Sequence, residues 1–301
     1  MALGRAGILA LLVAALALIA PAGAGATATV GQVPAETPSS SGCPTGPVDV
    51  LQPTVSGGEG YVVPGNGTIV DWSHQAAVGS GQMLTLKVFR KVADPFGYQV
   101  VGHDGPRPIA GGTVNTFSSA IPVKSGDVLG LNPVNAVPSA CVFPASGETF
   151  RFRSGNLVDG ADGSFGSSDA DYRTNVLALF VASNAITLNG IAVDRKAGTA
   201  TLTVSVPNAG SLTVGGKGVV SESSAQARTS AAGATKSVSI ARAGTVSLTI
   251  KAKGKARRKL ARTGTVKVQA KLTYSPVFGA PNTQGYKVTL RKKVKRTRAA
   301  A

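Results

Sequence analysis

Alternating hydrophobic and polar positions dominate the second half of the chain. From Thr199 to Val206 every second residue is apolar, and the same period of two returns along 246–250, 266–274 and 286–290. Such alternation places one set of side chains on the buried face of a strand and the other set on its exposed face. With two shorter segments at 212–214 and 238–240, the pattern predicts about six or seven strands, which is the size and rhythm of an immunoglobulin-like sandwich.

The first half shows shorter alternating segments, separated by Gly, Pro, Asn and Asp. In the segment 68–74, Val70 and Trp72 fall on one face and Asp71 and Ser73 on the other. Many short strands with turn residues between them are typical of a sandwich or jelly roll. No segment predicts an amphipathic helix longer than two turns. The candidate strands are 68–74, 84–90, 98–102, 121–131, 150–153 and 176–181.

The balance of charge changes sign between the two halves. Residues 183–301 contain 22 Lys and Arg against 2 Asp and Glu, whereas residues 1–182 contain 9 against 12, so that +20 and −3 give the net +17. The change coincides with the end of the apolar segment 176–181, which predicts a domain boundary near Ser183. The predicted order is a signal peptide (1–26), an extended leader (27–47), a jelly-roll-like β-sandwich (48–182), an immunoglobulin-like β-sandwich (183–291) and a basic tail (292–301).

The N-terminal residues have the pattern of a secretory signal peptide. Arg5 precedes an apolar run at 8–20, Pro21 ends that run, and an Ala-Gly-Ala cleavage motif follows at 22–24 or 24–26. The run is short for a membrane span, which needs about 20 residues; an uncleaved N-terminal anchor is the alternative. We therefore expect a secreted protein, with no transmembrane helix in the mature chain.

The two cysteines fit export. Cys43 and Cys141 are the only ones, and neither has a neighbouring Cys or His at the spacing of a zinc site. In an exported chain they predict one structural disulfide, which closes a loop of roughly 100 residues. Two unrelated buried thiols are the alternative.

Five sequence segments carry a resemblance to a known group of proteins. They are TIVDWSHQA, GQMLTLKVFR, IPVKSGDVLGL, DRKAGTATLTVSVPNAGSLTVGGKGV and KLARTGTVKVQAKLTYSP. Together they resemble secreted two-domain β-sandwich proteins of high-GC soil actinobacteria, and the turn V-x-x-G-D-x-L is also similar to jelly-roll domains of the tumour-necrosis-factor-like group. The resemblance implies an all-β fold and export, and it transfers no site residues.

No catalytic constellation is visible in the sequence. The G-x-S-x-G motif of serine hydrolases is absent. Ser73 and His74 are adjacent on a predicted strand and therefore point to opposite faces. His103 falls in a predicted turn, and no base with an orienting partner is apparent. We therefore expect a non-enzymatic protein.

Four aspartates cluster in one Gly- and Ser-rich segment. Oxygen ligands of this kind suit Ca²⁺, although their spacing is not that of an EF-hand. Ordinary turn residues on a solvated loop are the alternative, and a glycosidase pair is another, which requires a sugar groove. The residues are Asp159, Asp162, Asp169 and Asp171; no cofactor other than calcium is suggested.

Trp72, the only tryptophan, has two interpretations. With Tyr61 and Tyr98 it can form an aromatic platform for a sugar or another ligand. Its alternation with Val70 favours the other interpretation, in which Trp72 anchors the core of its sheet.

The basic residues of the second half predict a surface for polyanions. Consecutive strands are usually neighbours in a sheet, and in that arrangement the outward lysines line one face. No aromatics are interleaved with these basic residues, which disfavours nucleic acid, and export favours an anionic cell-wall polymer or polysaccharide. The residues are Lys251, Lys253, Lys255, Arg257, Arg258, Lys259, Lys267, Lys271, Lys287, Arg291, Lys292, Lys293, Lys295, Arg296 and Arg298.

These features together predict a secreted, non-enzymatic binding or structural protein. Its basic C-terminal module is expected to hold it at an anionic cell envelope. The alternatives are an extracellular carbohydrate-active hydrolase that uses the aspartate segment, and an adhesion protein whose loops calcium stiffens.

Overall fold

The computed structural model describes residues 26–39, 42–43, 46–57, 60–135, 137, 139–222 and 237–293. Strands make up 62% and helix 4% of the structure, in several antiparallel sheets, so the predicted all-β fold class is confirmed. The predicted signal peptide, apart from Ala26, lies outside the described residues, as do the tail residues Lys295, Arg296 and Arg298.

Two sheets enclose the core of the first part of the chain, which we call the first module. One sheet has the order β1-β11-β3-β6 and the other β10-β8-β2-β7-β4-β5-β9. Apolar residues from both, including Trp72, Leu86, Phe150 and Phe180, form one buried cluster. The strands are β1 (Ala28–Gln32), β2 (Val48–Leu51), β3 (Gly67–Gln75), β4 (Gln82–Ala93), β5 (Gly97–Ile109), β6 (Val114–Val123), β7 (Val128–Pro133), β8 (Val142–Ser154), β9 (Asp162–Ser164), β10 (Ser167–Thr174) and β11 (Val176–Ala182).

The predicted leader contributes to this fold. Its segment β1 pairs with β11, and Val30 is buried in the core. Further along the leader, Cys43 and Cys141 lie at disulfide distance, with their Cα atoms 5.2 Å apart. The predicted pairing of the two cysteines is thereby confirmed. The leader is tied to the first module both through β1 and at Cys43.

The larger sheet is covered on both faces. Val50 contributes to the core between the sheets, whereas its neighbour Leu51 belongs to a second apolar cluster with Phe89 and Phe165. Adjacent strand residues point to opposite faces, so two neighbouring apolar residues require two covering layers. The segment 155–166 provides the second layer, with Leu157 packed against the cluster.

A buried ion pair lies beneath this covering segment. Asp49 and Lys87 are 0% and 2% exposed, and the Lys87 Nζ donates to Asp49 Oδ1 at 2.5 Å, to Asn156 Oδ1 at 2.6 Å and to the Leu157 carbonyl at 2.7 Å. The Leu157 N–H donates to the other Asp49 oxygen at 2.9 Å. Burial lowers the pKa of Lys87, and Asp49 opposes that shift. Because all three ammonium protons have acceptors, the pair fixes the segment against the sheet.

A second module follows, with its own core. Its two sheets have the orders β12-β13-β17-β15 and β16-β14-β18-β19, and their inward residues form one cluster that begins at Ile186. The first core ends at Ala182, so the predicted boundary near Ser183 falls between the two clusters. The elements are β12 (Thr187–Asp194), β13 (Thr199–Val206), β14 (Gly210–Gly215), β15 (Val219–Glu222), β16 (Ser237–Ile240), β17 (Gly244–Ala252), α1 (Lys255–Thr263), β18 (Thr265–Pro276) and β19 (Asn282–Arg291).

Two asparagines join the modules. The Asn66 N–H donates to Asn208 Oδ1 at 2.6 Å, and the Asn208 side-chain amide donates back to the Asn66 carbonyl at 2.8 Å. Beside them, the Ala182 N–H donates to the Phe278 carbonyl at 2.6 Å. A Cβ atom at Gly65 would lie 2.6 Å from Asn208 Oδ1, so a side chain there would displace the Asn208 amide from its hydrogen bond with Asn66.

The ion pair of Glu148 and Arg173 predicts a pH dependence of stability. Burial alone would raise the pKa of Glu148, but hydrogen bonds from Ser56 and Arg173 outweigh it and lower that pKa to about 2 from 4.5. A carboxylate with a lowered pKa stabilises the folded state fully above pH 4.5, and this contribution is lost as the pH falls towards 2. We expect Glu148→Gln to be less stable than the parent at pH 7, with a difference that shrinks between pH 4.5 and 2.

Urea unfolding curves of both proteins across this pH range measure the difference. Glu36→Gln is the control, because Glu36 is an exposed carboxylate outside the pair. A gap between Glu148→Gln and the parent that stays constant down to pH 2 would contradict the assignment.

Candidate polyanion-binding site

The aromatic residues predicted as a ligand platform are core residues. Trp72 is 0%, Tyr61 1% and Tyr98 5% exposed. The Trp72 indole N–H donates to Asp104 Oδ2 at 2.6 Å, and the Tyr61 hydroxyl donates to the Thr174 carbonyl at 2.5 Å. The expectation of a surface platform is therefore corrected: these three rings are buried in the interior and present no free face to a ligand.

The four aspartates do not assemble into a calcium site. Asp162 lies on β9 and Asp169 and Asp171 on β10, and these strands form the two opposite edges of the seven-stranded sheet. Asp171 accepts a hydrogen bond from the Gly147 N–H at 2.8 Å, and Asp159 contacts His103. Within the residues that the structure describes, no group of three His, Cys, Asp or Glu side chains can hold a metal ion. The strands separate residues that are close in sequence, which corrects the expectation.

His103 and Asp159 form a pair that no local motif indicates. The His103 Nδ1 lies 2.8 Å from Asp159 Oδ1, and the two side chains are 46% and 50% exposed. Their separation of 56 positions hides the contact in the sequence. His74, in contrast, is fully buried, with its ring nitrogens 2.8 Å and 2.7 Å from the Asn175 and Ser139 carbonyls. Burial lowers the pKa of His74.

The basic residues of the second module do not line one face. The prediction assumed that consecutive strands are neighbours in one sheet. Strand β17 pairs with β13 and β15, whereas β18 pairs with β14 and β19. Lys251 therefore lies on one sheet and Lys267, Lys271 and Lys287 on the other. The reason is α1, which follows β17 and carries the chain across to the second sheet. The prediction of a single lysine face is corrected.

The structure gathers the charge at one end of the module instead. The strand pairs of the second module are antiparallel, and one end of the module contacts the first module near Asn208 and Phe278. The opposite end carries the β12–β13 turn, the β14–β15 turn, α1 and the end of β19. The pairing of Thr199 with Lys251 places the start of β13 and the end of β17 together at this opposite end. We call this end the basic pole. Its exposed cations are Arg195, Lys196, Lys217, Lys251, Lys253, Lys255, Arg257, Arg258, Lys259, Arg262, Lys267, Lys287, Arg291, Lys292 and Lys293.

A groove of about 960 Å³ lies at this pole, and we call it the lysine groove. It runs between the β14–β15 turn, the start of α1 and the strands β18 and β19. Val268 and Val288 border it but are buried in the core, so its apolar surface comes from Ala256 and the methylene stems of the lysines. Its five lysines are Lys217, Lys253, Lys255, Lys267 and Lys287. Lys217 was not among the predicted residues, because a single lysine in a Gly-rich turn has no distinguishing pattern.

The electrostatics of the groove are uniformly positive. None of its five lysines forms an ion pair with any residue that the structure describes. Residues 183–301 contain only two acidic residues, Asp194 and Glu222. The first turn of α1 has no acidic residue and no side-chain cap, so the positive end of the helix adds to the field. A cluster of like charges without acidic partners attracts anions.

No helix among the described residues has the length and apolarity needed to span a membrane. Comparison of the chain with protein-family models, curated proteins and solved structures finds no significant match. The geometry of the molecule alone therefore carries the functional argument, and its most distinctive feature is the basic pole.

Proposed function

We propose that the chain is a secreted, non-enzymatic binding protein whose second module holds it at an anionic cell envelope. The observation that carries the proposal is the collection of cations at the end of the second module opposite the junction. An anionic polymer can reach this pole without contacting the first module, which then stays accessible for other contacts.

Electrostatics supplies the physical basis. Each Lys or Arg near an anionic surface adds about 1 kcal/mol of attraction, which falls off within a Debye length of about 10 Å at 0.1 M salt. Several weak contacts at one pole therefore sum to a strong but salt-sensitive association. The proposed partner is an anionic cell-wall polymer.

A charge-reversal experiment tests this function. We expect the full-length protein to bind isolated bacterial cell walls at low salt and to elute as the salt concentration rises. Reversing three exposed charges of α1, with Arg257→Glu, Arg258→Glu and Lys259→Glu, should abolish most of this retention, because it introduces repulsion at the pole. Sedimentation of the walls followed by quantification of the bound protein gives the result.

The matched control keeps the charge and changes the side chains. It carries Arg257→Lys, Arg258→Lys and Lys259→Arg, and we expect it to bind as the parent does. Equal retention of the parent and the charge-reversed protein at low salt would overturn the proposal.

A further inference from the structure

The lysine groove differs from the rest of the basic pole in shape. Lys267 and Lys287 project from adjacent strands in diagonal register, since Lys267 pairs with Thr289 and Gln269 with Lys287. Diagonal neighbours on paired strands lie roughly 7–8 Å apart. Lys253 and Lys255 stand on another side of the groove, at the start of α1. A ligand in the groove therefore meets several separate positive charges in succession.

The type of cation narrows the ligand class. All the charged residues that line the groove are lysines, whereas α1 presents Arg257, Arg258 and Arg262 outside it. A lysine ammonium is a compact point charge, while arginine offers a planar fork that matches carboxylate and phosphate bidentately. Point charges in a row suit a flexible chain with one negative charge per repeat, without demanding a fixed orientation of each anionic group.

The apolar lining narrows the ligand class further. It consists of Ala256 and the methylene stems of the lysines, and none of the described residues that line the groove is aromatic. Sugar rings are typically held against aromatic faces, which present broad flat surfaces. Ala256 and flexible lysine stems fit a slender, flexible polymer backbone better than a rigid polysaccharide.

We propose that the lysine groove binds a phosphodiester polymer with a short polyol between its phosphates. This inference rests on the proposed function and names the class of polymer that the pole recognises. The phosphates lie along the lysines, and the polyol carbons contact the aliphatic lining. Uronic-acid polysaccharides, which carry their charge on rings, bind the pole only through general electrostatic attraction.

Two triple variants with the same loss of charge test the proposal. The groove variant carries Lys253→Gln, Lys267→Gln and Lys287→Gln, and the matched control carries Arg257→Gln, Arg258→Gln and Lys259→Gln on the outer surface of α1. Affinity of the full-length proteins for poly(glycerol phosphate) and for polygalacturonate is measured by calorimetry at several salt concentrations. Thermal unfolding verifies that each variant is folded, and Lys287→Gln alone serves if the triple variant is not.

We expect the groove variant to lose at least about tenfold more affinity for poly(glycerol phosphate) than the α1 variant does. Its plot of log affinity against log salt should also become shallower by about 2, since each lost phosphate contact removes roughly 0.7. For polygalacturonate, the two variants should lose affinity equally.

The other outcomes separate the two proposals. If both variants lose the same affinity for poly(glycerol phosphate), the basic pole is a general polyanion surface and the proposed binding role of the lysine groove is overturned. Tighter parental binding of polygalacturonate than of poly(glycerol phosphate) would overturn the phosphodiester class. Absence of binding to either polymer would contradict both the groove and the proposed function.

Discussion

Replacing Asp49 with Ala is expected to lower the free energy of unfolding by about 3–5 kcal/mol, because the Lys87 ammonium then stays buried without its carboxylate. Asp49 also accepts a hydrogen bond from the Leu157 N–H, so its loss leaves a second donor without this acceptor. The covering segment that includes Leu157 should open first. Urea denaturation measures the total effect, and hydrogen exchange across 155–166 locates it.

The companion variants separate charge from packing. Asp162→Ala removes an exposed aspartate on β9 and should change stability by less than about 0.5 kcal/mol. The double variant Asp49→Leu/Lys87→Met replaces both charges with apolar groups and should recover part of the loss. A single Asp49→Ala variant as stable as the parent would show that the pair does not hold the segment.

Removing the disulfide with Cys43→Ser and Cys141→Ser is expected to cost about 2–5 kcal/mol. The two cysteines are 98 positions apart, so the reduced chain gains a large number of unfolded conformations. The loss should concentrate at the leader, which the bond ties to the segment preceding β8. Thermal and urea unfolding of the double variant beside the oxidised parent measure the effect.

Reduction of the parent with dithiothreitol is the matched control, since it breaks the same bond without changing the sequence. Both treatments should lower stability by the same amount. Detection of two free thiols in the oxidised, denatured parent would show that the disulfide does not form. An unfolding midpoint unchanged by both the double substitution and the reduction would show that the disulfide does not stabilise the fold.

Local patterns in the sequence predicted six of the eight strands that the structure describes in the second module, and missed β12 and β15. The alternation along Thr199–Val206 corresponds to β13, with Ala200, Leu202 and Val204 buried. Such strands have one covered face, so burial repeats with a period of two. In the first module, the short strand β1 was not predicted, because its five residues include Gly31 and show too little alternation of apolar and polar side chains.

Local sequence patterns could not predict which strands pair with one another. Strands β17 and β18 follow one another in the chain but belong to different sheets, since α1 lies between them. That single connection moves Lys251 away from Lys267 and determines the arrangement of the basic surface. The His103–Asp159 pair was hidden for the same reason: pairing brings β5 beside the covering segment, far along the chain.

The sequence by itself determined the all-β class, the strong basicity of the second half and the availability of one cysteine pair, because composition and period-two burial are local properties. Only the tertiary structure decided that Trp72 is a core residue, that the four aspartates lie apart and that the cations collect at one end of a module. These depend on which strands pair and in what register, and a register is set by contacts between residues that are distant in the chain.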